Sequence, residues 1–110
     1  MSKHVSFDTL VKTVYALKKE AKTIVHCHGV FDLLHIGHIK YLEEAKSMGD
    51  VLVVTLTQDC HVNKGPNRPA FTQQLRAEAI ASLYCVDYIA INQWPTAIET
   101  LEKLQPTFYV

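Results

Sequence analysis

Apolar residues recur at Phe7, Leu10, Val11, Val14, Leu17 and Ala21, a spacing that gathers them on one stripe of an α-helix. Ser6 stands where an N-cap belongs, so the pattern predicts a helix over residues 6–22. The period then changes. Thr23-Ile24-Val25 opens a β-branched run that halts at Gly29 and predicts a strand over Thr23–His28. A second helix is expected from Ile36 to Ser47, with Ile39, Leu42 and Ala45 inward and Lys40, Glu43, Glu44 and Lys46 outward. Val51–Leu56 is almost wholly apolar, as in a strand covered on both faces of a parallel sheet.

Periodicity fails between His61 and Phe71, where Lys64-Gly65-Pro66-Asn67-Arg68-Pro69 can only be a loop. Thr72 then caps a helix carrying Leu75, Ala79, Ile80 and Leu83, and Val86–Ile91 forms a third strand. Thr96-Ala97-Ile98-Glu99 has the form of a capping box and starts a helix that runs through Leu104, before Pro106. Thr107–Val110 begins a fourth strand. After the leading helix the order is β-α-β-α-β-α-β, which predicts an α/β fold: a Rossmann-like doubly wound parallel sheet in three α/β/α layers. The expected organisation is a single domain over 1–110, with the leading helix at 6–22 and the binding core at 23–110. The final strand has no helix after it, so the expected fold lacks its C-terminal strand and helix.

Composition narrows the function classes. Apolar residues make up 48% of the 110, enough for a real core, and 11 basic residues balance 11 acidic ones. No global field draws this chain to nucleic acid or to an anionic membrane, so neither is an expected partner. The three cysteines, Cys27, Cys60 and Cys85, follow neither a disulfide framework nor a zinc spacing. Together with the absence of an apolar leader, they point to a reducing, cytoplasmic setting. His26 and His28 share a strand face that Cys27 does not, and no metal site is expected from them.

The chemistry concentrates in Gly29-Val30-Phe31-Asp32-Leu33-Leu34-His35-Ile36-Gly37-His38. It lies between a strand end and a helix start, where open α/β sheets bind ligands. Gly29 and Gly37 permit tight turns and close backbone approach. His35 and His38 are three apart on the first helical turn, beside unpaired amides and the positive end of the helix dipole. Two imidazole donors there suit the oxygens of a triphosphate. The pattern is not a Walker loop.

This decapeptide resembles the signature of the cytidylyltransferase-like nucleotidyltransferases, in which a G-x-F-D element precedes H-x-G-H. Tyr41–Lys46, Gly49–Val54, Lys64-Gly65 with Arg68-Pro69, Arg76 and Val86-Asp87-Tyr88 continue the likeness. The leading helix and the K-G-x-x-R-P loop look most like the adenylyltransferase domain that acts on heptose 1-phosphate, while Lys64–Pro66 and Phe71–Gln73 are also similar to phosphoethanolamine cytidylyltransferases. The resemblance implies that His35, His38 and Lys64 are catalytic, the imidazoles stabilising charge on the α-phosphoryl group. It implies that Gly29, Val30, Phe31, Asp32, Gly37 and Arg76 bind the nucleotide. Val30, Phe31 and Asp32 would floor the pocket, with Asp32 alternatively holding the loop through backbone hydrogen bonds. Lys64 and Arg76 would contact the triphosphate or the acceptor phosphate.

The implied reaction moves a nucleoside monophosphate from ATP or CTP to a phosphorylated small molecule, a sugar 1-phosphate such as heptose 1-phosphate, and releases pyrophosphate. Mg²⁺ would arrive on the nucleotide phosphates. Other outcomes of the same resemblance are a cytidylyltransferase for glycerol 3-phosphate or phosphoethanolamine, and a catalytically incomplete nucleotide-binding module. The family's serine/threonine-rich motif at a later helix has no counterpart before Val110, so weak turnover is expected of this segment alone. His28 stands where heptose-type relatives carry a small amide, which brings a titratable group to the site. The stripe of the first helix is read as core cover, with a homodimer as its other use.

Overall fold

The computed structural model describes residues 3–62 and 69–110. Helix α1 (Phe7–Lys19) begins at Ser6, whose side chain accepts the Thr9 amide, and buries Phe7, Leu10 and Val14. It stops one turn before the expected Lys22, because Ala21 turns left-handed at φ 63°. Strand β1 (Ile24–Gly29) leads to helix α2 (Ile36–Lys46), and strand β2 (Val51–Leu56) leads through a 3₁₀ turn at Asp59–His61. Helix α3 (Gln73–Ala81), strand β3 (Tyr88–Ile91), helix α4 (Ile98–Leu104) and the short strand β4 (Phe108–Tyr109) complete the order.

The four strands form a parallel sheet in the order β3-β2-β1-β4. This is the Rossmann-like arrangement the sequence predicts. Two apolar layers flank it. On one face Val25, Cys27, Leu52 and Val54 pack with Leu42, Ala45, Ala77 and Ile80 of α2 and α3. On the other, Ile24, Val53 and Ala90 pack with Phe7, Leu10, Val14 and Leu104 of α1 and α4. The alternation along β1 and β2 follows from the two-residue period of a strand. Gly29, Leu56 and Ile91 stand in register, so the carboxyl ends of β1, β2 and β3 make one straight edge.

Three local expectations change. Helix α3 buries Arg76, Ala77 and Ile80, while Leu75 is half exposed. Helical spacing permits either face inward, and the buried arginine's bonds decide the rotation. The expected capping box before α4 does not form: Ala97 is the N-cap and makes no side-chain bond, and one buried Glu99 carboxylate oxygen has no partner among the described residues. The end of this loop is instead held by Asn92, whose amide donates to Trp94 and Thr96 carbonyls and whose oxygen accepts from Thr100. Strand β3 starts at Tyr88, because Asp87 turns its carboxylate to the Leu52 amide and to Lys46.

Candidate functional site

The loop from Val30 to His35 is shaped by two residues that are not glycine. Phe31 and Leu33 take left-handed backbone at φ 51° and 59°. Such conformations cost roughly 1–3 kcal/mol each and persist where surrounding contacts enforce them. Sequence reasoning assigns the loop's freedom to its glycines. In the structure they serve clearance. A β-carbon on Gly37 would stand 2.8 Å from His35 Cε1, and one on Gly29 would stand 2.8 Å from Phe31 Cε2.

His35 is the N-cap of α2, and its Nδ1 accepts the Gly37 amide at 3.0 Å. His38 Nδ1 accepts the His35 amide at 3.3 Å, so the two imidazoles form a reciprocal box at the helix start. This determines the tautomers. A neutral imidazole whose Nδ1 accepts a hydrogen bond carries its proton on Nε2. Each ring therefore carries its hydrogen on Nε2. The rings stack at 3.9 Å with 28° between planes, and His38 and Phe31 meet edge to face with ring centres 5.4 Å apart. The two imidazoles thus stand at the positive end of an 11-residue helix, a place suited to phosphate oxygens.

Asp32 is buried, and its carboxylate accepts the Ala70 amide at 2.7 Å and the Phe71 amide at 3.0 Å. It ties the signature loop to the segment entering α3, the second of the two roles expected for it. Val30 contributes its backbone carbonyl, which accepts from Arg76 Nη1 at 2.9 Å. Arg76 itself is 2% exposed. Its Nε donates to the Phe71 carbonyl and its Nη2 to Asp59 Oδ1 at 2.7 Å. These bonds use three of the guanidinium's five N–H donors and join the two loops from within. Lys64 and Arg68 lie outside the described residues.

Beside this loop, Phe31, Leu33, Leu34, Phe71, Leu75 and Ala79 wall an apolar cavity of about 520 Å³ over Arg76. It offers a triphosphate few donors.

A second polar cluster was not legible in the sequence. Thr55 Oγ1 lies 2.8 Å from His26 Nε2 and 2.8 Å from His28 Nδ1, and His28 Nε2 lies 3.4 Å from Thr57 Oγ1. A hydroxyl has one hydrogen, so Thr55 donates to one imidazole and accepts from the other. Burial, reinforced by neighbouring His28, pushes His26 down to about 3, and burial also lowers His28. His28 is therefore a neutral bracket between β1 and β2. The alternation of β1 puts His26 and His28 on one face, but only the strand register puts Thr55 between them.

A family model described as cytidylyltransferase-like matches residues 26–110. The chain is 43% identical over 107 residues to the bifunctional protein HldE of Geobacter metallireducens, covering 96% of this chain and 22% of that protein. It is 41% identical over 95 residues to the bifunctional protein HldE of Syntrophotalea carbinolica, covering 84% and 19%. The chain thus spans about a fifth of the length of these curated relatives. Among solved structures, a lipopolysaccharide core biosynthesis protein from Thermoplasma volcanium superposes with a TM-score of 0.73 at 33% identity, covering 80% of this chain and 72% of that one.

Proposed function

The chain belongs to the cytidylyltransferase-like family, and from that membership we propose that it transfers a nucleoside monophosphate from ATP or CTP to a sugar 1-phosphate of the heptose type. The observation that carries the proposal is the stacked pair of His35 and His38 imidazoles, each held by a backbone amide through Nδ1 at the start of α2. The heptose-type acceptor is supported by the extended likeness to the HldE proteins.

The acceptor phosphate is already anionic near neutral pH, so its oxygen can attack the α-phosphorus without a general base. A bond forms between that oxygen and the α-phosphorus as the bond to the bridging oxygen of the β-phosphate breaks, and pyrophosphate leaves. The chain's task is to align two anions and to meet the charge that accumulates. His35 and His38 donate to the α-phosphoryl oxygens, held in place by their own backbone bonds, so no reorganisation accompanies the step. Val30, Phe31 and Asp32 shape the floor, and Lys64 adds positive charge. Asp32 is committed to two amides, so Mg²⁺ would be carried by the nucleotide phosphates, whose charge it would partly neutralise.

The test is a pyrophosphate-release screen crossing ATP and CTP with heptose 1-phosphate, glycerol 3-phosphate and phosphoethanolamine. His35→Ala and His38→Ala should each lower kcat roughly 10²- to 10³-fold, the usual cost of one transition-state donor, with KM for nucleotide little changed. Nucleotide binding without release in every combination would replace this proposal with a binding module.

A further inference from the structure

Beyond the carboxyl ends of β2 and β3 lies a cavity of about 410 Å³ that the nucleotide chemistry above does not use. Its size falls within the range of small-molecule sites. Three carboxamides from three separate elements line it: Gln58 after β2, Gln73 at the first position of α3, and Gln93 after β3. His4 also lines it, and Phe7 and Ile91 supply an apolar wall. Among the described residues that line it there is no Asp, Glu, Lys or Arg. Gln73 is already oriented, because its Oε1 accepts the Asp59 amide at 2.9 Å and its NH₂ is left to donate elsewhere.

The register relates this cavity to the histidine pair. Gly29, Leu56 and Ile91 stand in one row, and Gln58 and Gln93 each follow two residues beyond it. Adjacent strands are about 4.8 Å apart, so the end of β3 lies roughly 10 Å from the end of β1, where the signature loop starts. A phosphorylated sugar lying across the carboxyl edge could keep its phosphate near the loop and its body over β2 and β3.

We propose that Gln58, Gln73 and Gln93 form the subsite for the uncharged, hydroxyl-rich body of the acceptor; this rests on the nucleotidyltransferase reading above. A carboxamide both donates and accepts, which matches hydroxyls that do the same. The ring carbons of a sugar would rest on the apolar wall. An ammonium group finds no carboxylate in this cavity to replace its water, so the subsite selects a sugar phosphate over phosphoethanolamine.

The experiment follows side-chain amide and imidazole resonances of the isotope-labelled chain by NMR, with heptose 1-phosphate, phosphoethanolamine and inorganic phosphate as probes. It is repeated on a Gln58→Leu, Gln93→Leu double variant whose thermal melt is checked against the parent. The expected result is that heptose 1-phosphate moves the glutamine NH₂ signals while the other two probes do not. The double variant should bind heptose 1-phosphate about tenfold more weakly, the loss of roughly two neutral hydrogen bonds, with ATP and CTP affinity unchanged. Heptose 1-phosphate that moves the His35 and His38 signals, with the glutamines silent and affinity unchanged in the double variant, overturns the subsite and leaves the nucleotidyltransferase reading intact. Phosphoethanolamine binding as tightly as the sugar phosphate through the same amides also overturns it. Absence of binding by nucleotide and sugar phosphate alike removes both.

Discussion

Replacing Arg76 by Met separates two roles that one residue could have: a cation for phosphate, or an internal tie between loops. Methionine is of similar length and suits an apolar interior, so the packing cost is small. What is lost is three hydrogen bonds. The Val30 carbonyl loses its Nη1 donor, and a partly buried acceptor left unmet costs about 1–3 kcal/mol. The Phe71 carbonyl loses Nε, but Phe71 is half exposed and water can replace part of that bond. Asp59 is 39% exposed on its side chain, so its ion pair with Arg76 adds at most about 1 kcal/mol. The sum is about 2–3 kcal/mol, equivalent to a fall in melting temperature of about 10 °C or somewhat more for a chain of this size. Urea titration and thermal melting read it directly, and Arg76→Lys should recover only part of the loss, because an ammonium cannot span three acceptors in one plane. If Arg76→Met melts within about 2 °C of the parent while nucleotide affinity collapses, the guanidinium is a ligand and the reasoning from its burial is wrong.

Three further outcomes follow from the same geometry. His26 has its pKa lowered to about 3 in the folded chain, against an unfolded value near 6.5, so the unfolded state binds more protons between those values. Stability is therefore full above about pH 6.5 and falls as pH drops, by up to about 1.4 kcal/mol per pH unit from this residue, with His28 adding in the same direction. Urea midpoints that do not move between pH 7 and pH 5 would contradict it. Gly37→Ala puts a β-carbon against the His35 ring, so it should lose the Gly37 amide bond, cost about 1 kcal/mol, and weaken nucleotide binding with the ring displaced. Calorimetric titration with ATP and CTP checks this, and unaltered affinity would count against the His35 placement. Asp32→Asn keeps the shape but turns one of the two acceptor oxygens into an NH₂ that cannot accept its amide and removes the charge from the other bond, so it should lower stability by roughly 1.5–3 kcal/mol in urea titration. A neutral result would show that the loop holds its form without that tie.

The pattern of apolar positions carried the fold class because its two periods, 3.6 and 2, are local properties of the chain. From them came the leading helix, the alternation of strands with helices and the parallel sheet. The decapeptide from Gly29 to His38 was legible for a similar reason: a strand end, a helix start and two imidazoles three apart lie within ten consecutive residues. What local pattern cannot convey is contact between distant segments. The rotation of α3 about its axis depended on Arg76 meeting Asp59, Val30 and Phe71, and helical spacing permits Leu75 inward equally well. The bracket of His26 and His28 around Thr55 required the register of β1 on β2, which no single strand encodes. The gathering of Gln58, Gln73 and Gln93 around one cavity joins residues up to 35 positions apart. The sequence determined which elements form and which loop brings two imidazoles to a helix start. Tertiary structure decided which polar side chains hold that loop, because hydrogen-bond partners are assigned only when the elements pack.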